Sequence, residues 1–340
     1  LLLAKRLLTD TALPITQIAL ASGFNSVRRF NASFQNRYRL NPSGLRKAAD
    51  RSAPREALSF DLAYRPPFDW QHFLGFLDRR SIEGVEAVGG GGYRRTVRVI
   101  HAGKLHHGWI EIAPVKAKAA LRVRVSASLA QAVPPVLAGA KQLTDLACNP
   151  ADVTQALGEL ASKAPGVRVP GAFDGFEVAV RAILGQQVSV KAARTLAQRF
   201  TAAFGEAIDT PWPELVSLFP TAARIADCTT ADIAKLGIVG ARATSIIALA
   251  RALTAGRLQL DPSAPLEATL DALRDLPGVG EWTAQYIAMR ALGWPDAFPH
   301  SDLGVMKALG VKNPKAALAA SEKWRPWRAY AVMHLWNSLA

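Results

Sequence analysis

Cysteine is almost absent from this chain of 340 residues, which has only Cys148 and Cys228. Two cysteines argue against a disulfide framework and cannot form a four-thiolate metal site. The six histidines are scattered, and no HExxH or comparable metal-ligand spacing occurs. We therefore expect a protein of the reducing cytoplasm whose chemistry needs no metal.

Long apolar runs are also absent. No run approaches the roughly 18–20 residues that cross a bilayer, so we expect a soluble protein without a membrane partner. The opening LLLAKRLL is too short for the apolar core of a signal peptide and has no small-residue cleavage site. The chain has no initiator Met either, so we expect it to be the remainder of a longer protein.

Acidic residues are outnumbered, because 41 Lys and Arg face 27 Asp and Glu, for a net charge of +14. The excess is uneven, since residues 1–50 carry eight basic residues against two acidic ones. A chain this basic favours a polyanionic partner, either nucleic acid or an anionic membrane.

Residues 14–38, PITQIALASGFNSVRRFNASFQNRY, have the pattern of a helix-turn-helix. A helix of about eight residues is predicted from Pro14, a turn at Gly23, and a second amphipathic helix from about Ser26. The alternative is an ordinary helical hairpin without DNA contact. The second helix has an amide-rich, basic face of the kind that enters a major groove, formed by Arg28, Arg29, Asn31 and Gln35.

The composition divides the chain into three domains and a linker. Residues 1–47 contain the helix-turn-helix, and the polar stretch 48–56 is predicted to be a linker. Residues 57–145 are predicted to form an α+β domain, and residues 146–340 are helical in pattern almost throughout. The expected fold class is therefore multidomain and mainly α.

The α+β domain is predicted from segments in which apolar and polar side chains alternate. They predict the half-buried strands of an antiparallel sheet. A helix over Trp70 to Leu77 precedes them, and another near residues 129–146 follows. The four glycines 89–92 are expected to form a flexible turn. The alternating segments are residues 93–100, 109–115 and 120–127.

The sequence LPGVG at residues 276–280 separates two predicted helices. Proline cannot continue the helix predicted from about Leu266, and the two glycines permit a tight reversal. Backbone N–H groups at the start of the next helix, near Glu281, are unpaired and bind phosphate. The pattern predicts a helix-hairpin-helix, against the alternative of an ordinary αα-hairpin. Its DNA-backbone contacts are expected from Pro277, Gly278, Val279 and Gly280.

The helix after this hairpin has Trp282, Tyr286 and Arg290 at four-residue spacing, so they share one face. An aromatic pair at this spacing also occurs in ordinary cores. Asp302 follows in a loop, where Ser301-Asp302 also has the composition of a helix N-cap. Each feature is common alone, whereas their combination in this order is not.

In this combination the chain resembles the helix-hairpin-helix-Gly/Pro-Asp superfamily of base-excision DNA glycosylases. The resemblance is to the 3-methyladenine DNA glycosylase II type over residues 57–340. Residues 1–47 resemble the distal helix-turn-helix of AraC-type regulators found in adaptive-response proteins. The matching blocks are LPGVGEWTAQYIA with the later Asp302, PPFDWQHFLGFLDRRSIEGVE, CNP, FEVAVRAILGQQVS and WRPWRAYAVMHLW.

The resemblance implies hydrolysis of the N-glycosidic bond of an alkylated purine that is flipped out of duplex DNA. It implies that Asp302 is the catalytic carboxylate, which stabilises an oxocarbenium-like transition state, orients water or acts as a base. It also implies an aromatic base pocket, suited to a cationic ring and lined by Trp282, Tyr286, Trp336 and Phe76.

Two positions depart from relatives of this superfamily. Bifunctional members such as endonuclease III have a Schiff-base Lys where this chain has Trp282, so we expect a glycosylase without lyase activity. The wedge that fills the gap left by the flipped base is commonly Leu, and the matching residue here is Gln187. Its amide is an intercalation candidate that could hydrogen-bond the orphaned base.

The expected partner is double-stranded DNA with alkylated bases, together with promoter DNA through the helix-turn-helix. The protein is expected to be a monomer. No cofactor is required, although the carbonyls of residues 276–281 could hold a structural monovalent cation. The alternatives are a transcriptional regulator of the alkylation response whose glycosylase-like part is inert or only senses damage, and a helical protein with a basic surface.

Overall fold

The computed structural model describes residues 1–11, 13–48 and 57–339. The linker predicted at residues 48–56 lies outside the described residues, apart from Ala48. Within the described ranges, no helix is both long and apolar enough to cross a membrane.

The N-terminal helices form the predicted helix-turn-helix. Ser26 caps the third helix by accepting a hydrogen bond from the Arg29 amide, and Gly23 in the preceding turn has φ +82°. Phe30 and Phe34 are fully buried one helical turn apart, and their rings lie 5.6 Å from each other. The four helices are α1 (Leu2–Asp10), α2 (Ile15–Ala21), α3 (Val27–Tyr38) and α4 (Pro42–Ala48).

The middle of the chain forms an antiparallel five-stranded sheet in the order β1-β5-β4-β3-β2. The three predicted strands are present, whereas the first two strands were not predicted. The predicted flexible turn is a tight hairpin, because Gly89 pairs with Gly92 while Gly90 and Gly91 have positive φ. The elements are β1 (Ala57–Ala63), α5 (Trp70–Asp78), β2 (Glu86–Gly89), β3 (Gly92–His101), β4 (Lys104–Pro114), β5 (Ala120–Ser126), a 3₁₀ segment (Ala127–Ala132) and α6 (Val133–Leu143).

The remainder is helical apart from one small pair of strands. The helical pattern at 176–205 forms two helices that break after Gly185, and the pattern at 222–237 forms two short ones. Two-residue strands between them were not predicted. The elements are α7 (Pro150–Leu157), α8 (Glu159–Ser162), α9 (Gly175–Leu184), α10 (Val190–Phe204), β6 (Glu206–Ala207), β7 (Ser217–Leu218), α11 (Ala222–Ala226), α12 (Thr230–Ala234), α13 (Gly240–Thr254), α14 (Leu266–Arg274), α15 (Glu281–Ile287), a π turn (Ala288–Leu292), α16 (Leu303–Leu309), α17 (Pro314–Ser321), a 3₁₀ turn (Glu322–Trp324) and α18 (Arg328–Asn337).

A buried ion cluster joins the sheet to α9. Arg95 of β3 donates to Glu177 of α9 at 2.5 Å, and Arg181 of α9 pairs with both Glu177 and Glu86. Burial alone would raise the pKa of Glu86, but the positive charges of Arg181 and Arg95 outweigh it and lower that pKa to about 2. The cluster therefore depends on complete charge pairing between the two parts of the chain.

Arg181→Met tests this dependence. The change leaves two buried carboxylates with fewer cations, so we expect a loss of about 3–5 kcal/mol in the free energy of unfolding. The matched control is Arg122→Met, because Arg122 pairs with Asp61 on the exposed face of the sheet. The control should leave the denaturant midpoint nearly unchanged. Equal midpoints for the two variants would contradict the structural role of the cluster.

Candidate functional site

The predicted hairpin lies between α14 and α15. Gly278 has φ +74°, a conformation that favours glycine. A Cβ atom there would also lie 2.4 Å from the Ser245 hydroxyl of α13, so both the backbone angle and the close packing favour glycine. Val279 is buried and anchors the turn, whereas Pro277, Gly278 and Gly280 are exposed. Gly280 precedes α15 and offers no capping side chain, so the first N–H groups of α15 lack that partner. This is the geometry that binds phosphate.

Glu281 places a negative charge in the first turn of α15. Arg274 holds it with two hydrogen bonds of 2.8 and 3.2 Å, and this interaction lowers the pKa of the Glu281 carboxyl. The ion pair offsets much of the repulsion that Glu281 would exert on a phosphate.

Asp302 accepts hydrogen bonds from three elements. Its Oδ2 accepts from the indole Nε1 of Trp282 at 2.9 Å, and its Oδ1 accepts from Trp336 Nε1 at 2.9 Å. Oδ1 also accepts from the backbone amide of Val305 at 2.9 Å, so Asp302 is the N-cap of α16. Asp302 is therefore both the N-cap of α16 and the predicted site carboxylate, so the two interpretations of Ser301-Asp302 are compatible. Indole and amide N–H groups only donate, which suits an ionised carboxylate held in a fixed orientation.

The four predicted pocket aromatics are brought together. Trp282 stacks on Tyr286 with ring centroids 5.3 Å apart and an interplanar angle of 21°. Trp336 lies 6.3 Å from Tyr286 and 6.5 Å from Phe76, which α5 contributes. Phe76 is buried, while the other three rings are partly accessible. Aromatic faces thus surround the hydrogen-bonded Asp302.

Two arginines flank these rings, and their position there was not predicted from the sequence. The Arg80 guanidinium lies 3.8 Å from the Phe76 ring centroid, and that of Arg290 lies 5.0 Å from it. Arg290 also donates to the Tyr286 hydroxyl at 2.8 Å. Burial lowers the pKa of Arg80 to about 10, which still leaves it charged at neutral pH. The i, i+4 spacing of Tyr286 and Arg290 was available in the sequence, but the approach of α5 was not.

The position of Arg80 depends on α9 and α10. Arg181, a member of the buried ion cluster, donates to the Arg80 carbonyl at 2.9 Å, and Arg194 donates to the next carbonyl, that of Ser81, at 2.8 Å. The end of α5 is therefore fixed to the helical part of the chain, and so is Phe76, one of the four predicted pocket residues.

Gln187 lies in the turn between α9 and α10, where it is exposed with φ +53°. Its neighbour Gln186 donates to the Gly278 carbonyl and to the Thr283 hydroxyl, both at 2.9 Å. The turn is therefore fixed to the hairpin, and Gln187 is presented beside it. Gln187 is unusual in this conformation, because residues other than glycine rarely adopt positive φ.

The predicted helix-turn-helix contacts all lie on one exposed surface of α3. Arg28, Arg29, Asn31 and Gln35 are exposed, opposite the buried phenylalanines. No group of three or more His, Cys, Asp or Glu that could hold a metal occurs among the described residues.

The hairpin, the Asp that follows it and the exposed basic helix define a class: a base-excision DNA repair protein with an added helix-turn-helix. Family models agree along the chain. They match a helix-turn-helix domain at residues 1–48, the AlkA N-terminal domain at 59–174, and the HhH-GPD superfamily base excision DNA repair protein at 180–322.

Relatives agree with the models. The chain is 37% identical to DNA-3-methyladenine glycosylase 2 of Escherichia coli, over 82% of this chain and 96% of that protein. It is also 37% identical to a probable bifunctional transcriptional activator/DNA repair enzyme AlkA of Mycobacterium tuberculosis, over 99% of this chain and 69% of that protein. The chain belongs to the DNA-3-methyladenine glycosylase 2 family of the HhH-GPD superfamily.

The fold agrees as well. A 3-methyladenine DNA-glycosylase from Archaeoglobus fulgidus has a TM-score of 0.67 at 20% identity, covering 82% of this chain and 97% of that one.

Gly304→Ala tests whether the Trp336–Asp302 hydrogen bond matters. A Cβ atom at Gly304 would lie 3.0 Å from Asp302 Oδ1 and 3.2 Å from Trp336 Cδ1, so the indole must shift. We expect single-turnover base release to slow about tenfold, the effect of one weakened hydrogen bond. Gly89→Ala is the control, because its added methyl meets nothing within 4 Å. An unchanged rate in Gly304→Ala would show that the bond is dispensable.

The interface of α5 and α18 contains two histidines, His72 and His334. Burial, with a smaller contribution from the charge of His72, lowers the pKa of His334 to about 4. Unfolded chains protonate His near pH 6.5, so the unfolded state binds more protons below that pH. We expect His334 to cost about 2 kcal/mol of stability between pH 7.5 and 5.0. Carboxyl groups also begin to titrate at the lower end of this pH range. The measurement therefore compares the change in the free energy of unfolding between pH 7.5 and 5.0 in wild type and in His334→Gln. A wild type no more acid-sensitive than the variant would contradict this.

Proposed function

We propose that this protein is a monofunctional DNA glycosylase that flips alkylated purines of the 3-methyladenine type out of the duplex and hydrolyses their N-glycosidic bond. The observation that carries the proposal is the carboxylate of Asp302, oriented by Trp282, Trp336 and the Val305 amide beside a cluster of aromatic rings. The family membership supports the same activity.

The carboxylate acts on the sugar. As the bond from C1′ to the base nitrogen breaks, the base leaves with the electron pair and positive charge develops on the sugar ring. Asp302 is fixed in advance, so its negative charge stabilises the transition state without reorganisation. Water then adds to C1′ and loses a proton, leaving an abasic site. With three N–H donors already on its oxygens, Asp302 serves better as a charge than as a base.

The base is held by stacking. Trp282, Tyr286, Trp336 and Phe76 offer ring faces that accept many purines with few hydrogen bonds. A cationic purine gains roughly 0.5–2 kcal/mol over such faces. Arg80 and Arg290 oppose this gain, because their charges repel a cationic base. The pocket therefore suits neutral lesions better than its aromatic composition alone indicates.

The DNA backbone is held by the hairpin formed by Pro277, Gly278, Val279 and Gly280, with the open N–H groups of α15 directed to phosphate. Gln187, fixed beside the hairpin, fills the gap left by the flipped base and hydrogen-bonds its former partner. The carbonyls of residues 276–281 suit a monovalent cation. Trp282 occupies the position of a lyase amine, so the product keeps an intact strand.

The protein works on double-stranded DNA as a monomer in the cytoplasm, in three domains at residues 1–47, 57–145 and 146–340. A second function is supported by the exposed basic face of α3, with Arg28, Arg29, Asn31 and Gln35. The M. tuberculosis relative is described as both activator and repair enzyme. Promoter binding in the alkylation response is thus a companion activity.

Asp302→Asn tests the catalytic assignment. Asparagine also caps helices, so α16 should remain folded, while the negative charge beside the sugar is lost. We expect release of methylated purines from alkylated duplex DNA to fall roughly 10²–10³-fold, with DNA binding retained. Asp209→Asn, on an exposed loop, should release bases at the wild-type rate. Release that survives in Asp302→Asn would refute the assignment, and strand cleavage by wild type would refute the monofunctional reaction.

A further inference from the structure

The helix-turn-helix is docked on the sheet. Arg6 of α1 donates to the Ser59 carbonyl of β1, and its guanidinium lies 5.0 Å from the Phe60 ring centroid. Gln131, in the 3₁₀ segment after β5, donates to Gln17 of α2 at 3.0 Å. These contacts come from α1 and α2, so they form a docking surface that leaves the basic face of α3 free.

The Arg6 contact of the docking surface and the helix that carries Phe76 lie at opposite edges of the sheet. β1 is one edge strand, whereas α5 is attached near β2, where Trp70 donates its indole N–H to the Gly91 carbonyl at 2.8 Å. Four strand spacings of about 4.8 Å separate the edges, which is about 20 Å. That distance equals the rise of about six base pairs of duplex DNA.

The positive charge of the helix-turn-helix favours contact with DNA. Residues 1–50 carry eight basic residues against two acidic ones, and Arg28 and Arg29 are exposed on α3. A contact between Arg and phosphate adds affinity that needs no particular sequence and weakens with salt.

We propose that the docked helix-turn-helix is a second DNA-binding surface of the repair enzyme itself, which holds undamaged duplex beside the lesion while the pocket holds the flipped base. The proposal rests on the glycosylase function but goes beyond it, because it assigns the helix-turn-helix a role in repair that requires no promoter. α3 then contributes to affinity and lesion search, and not to the chemical step.

The test compares Arg28→Ala/Arg29→Ala with wild type on two duplexes that carry one central alkylated purine. An 11-bp duplex extends about 17 Å on each side of the lesion, less than the width of the sheet, whereas a 35-bp duplex of arbitrary sequence extends well beyond that width. We expect about tenfold weaker binding to the long duplex, a salt-dependence slope smaller by about 2, and unchanged binding to the short one. Single-turnover excision at saturation should be unchanged on both.

Lys116→Ala/Lys118→Ala is the matched control, because it removes two exposed positive charges from the β4–β5 loop. It should bind both duplexes as wild type does. A loss of equal size in the control, or equal losses on the two duplexes, would overturn the proposal. Excision from the short duplex reports the glycosylase function separately, so its failure would be distinguished from failure of the second surface.

A change on the docking surface tests whether docking matters. Gln17→Glu/Gln131→Glu places two carboxylates opposite each other and leaves α3 intact. We expect the preference for the long duplex to fall as it does in the arginine variant. A retained preference would mean that the helix-turn-helix acts without docking, which would overturn that part of the proposal.

Discussion

The site depends on one carboxylate that is held from three directions. Asp302 receives a hydrogen bond from Trp282 of α15, from Trp336 of α18 and from the start of α16. The same two tryptophans belong to the cluster of aromatic rings, so the position of the charge and the arrangement of the rings cannot vary independently. Gly304 leaves the space in which the Trp336 indole reaches the carboxylate. A charge fixed before the reaction is the property that makes electrostatic stabilisation effective.

Phe76 and Arg80 come from a separate part of the chain, and the buried ion cluster holds them beside the aromatic rings. Arg181 links Glu86 of the sheet to Glu177 of its own helix and also holds the carbonyl of Arg80. A cluster of this kind contributes little net stability compared with an apolar core, but it fixes a unique arrangement because any unpaired charge is costly. The sheet therefore acts as a support that places Phe76 and Arg80 against α15 and α18.

Much of the fold follows from local pattern. The hairpin, helix α3, the three central strands and the pairing of Trp282 with Tyr286 could be predicted from the sequence, because periodicity and glycine placement are local properties. Strands β1 and β2 were missed because the first pairs with residues 57 to 69 positions further along the chain and the second is only four residues long. The arginine pair was missed for a similar reason: Arg80 is only four residues from Phe76 in the sequence, but only the folded chain brings it close to Tyr286 and Arg290. The hydrogen bonds to Asp302 join residues 20 and 34 positions apart, which no spacing rule predicts.

The most direct test of this account is a double-mutant cycle with Trp282→Phe and Trp336→Phe, which keeps an aromatic ring at each position but removes the N–H donor. The measurement is single-turnover base release at saturating alkylated duplex, together with affinity for an abasic duplex. The account predicts that each change slows release about 10–100-fold, that DNA affinity is retained, and that the effects are not additive because both donors orient one carboxylate. Wild-type release by both single variants would contradict the claim that the indole hydrogen bonds prepare Asp302 for the reaction.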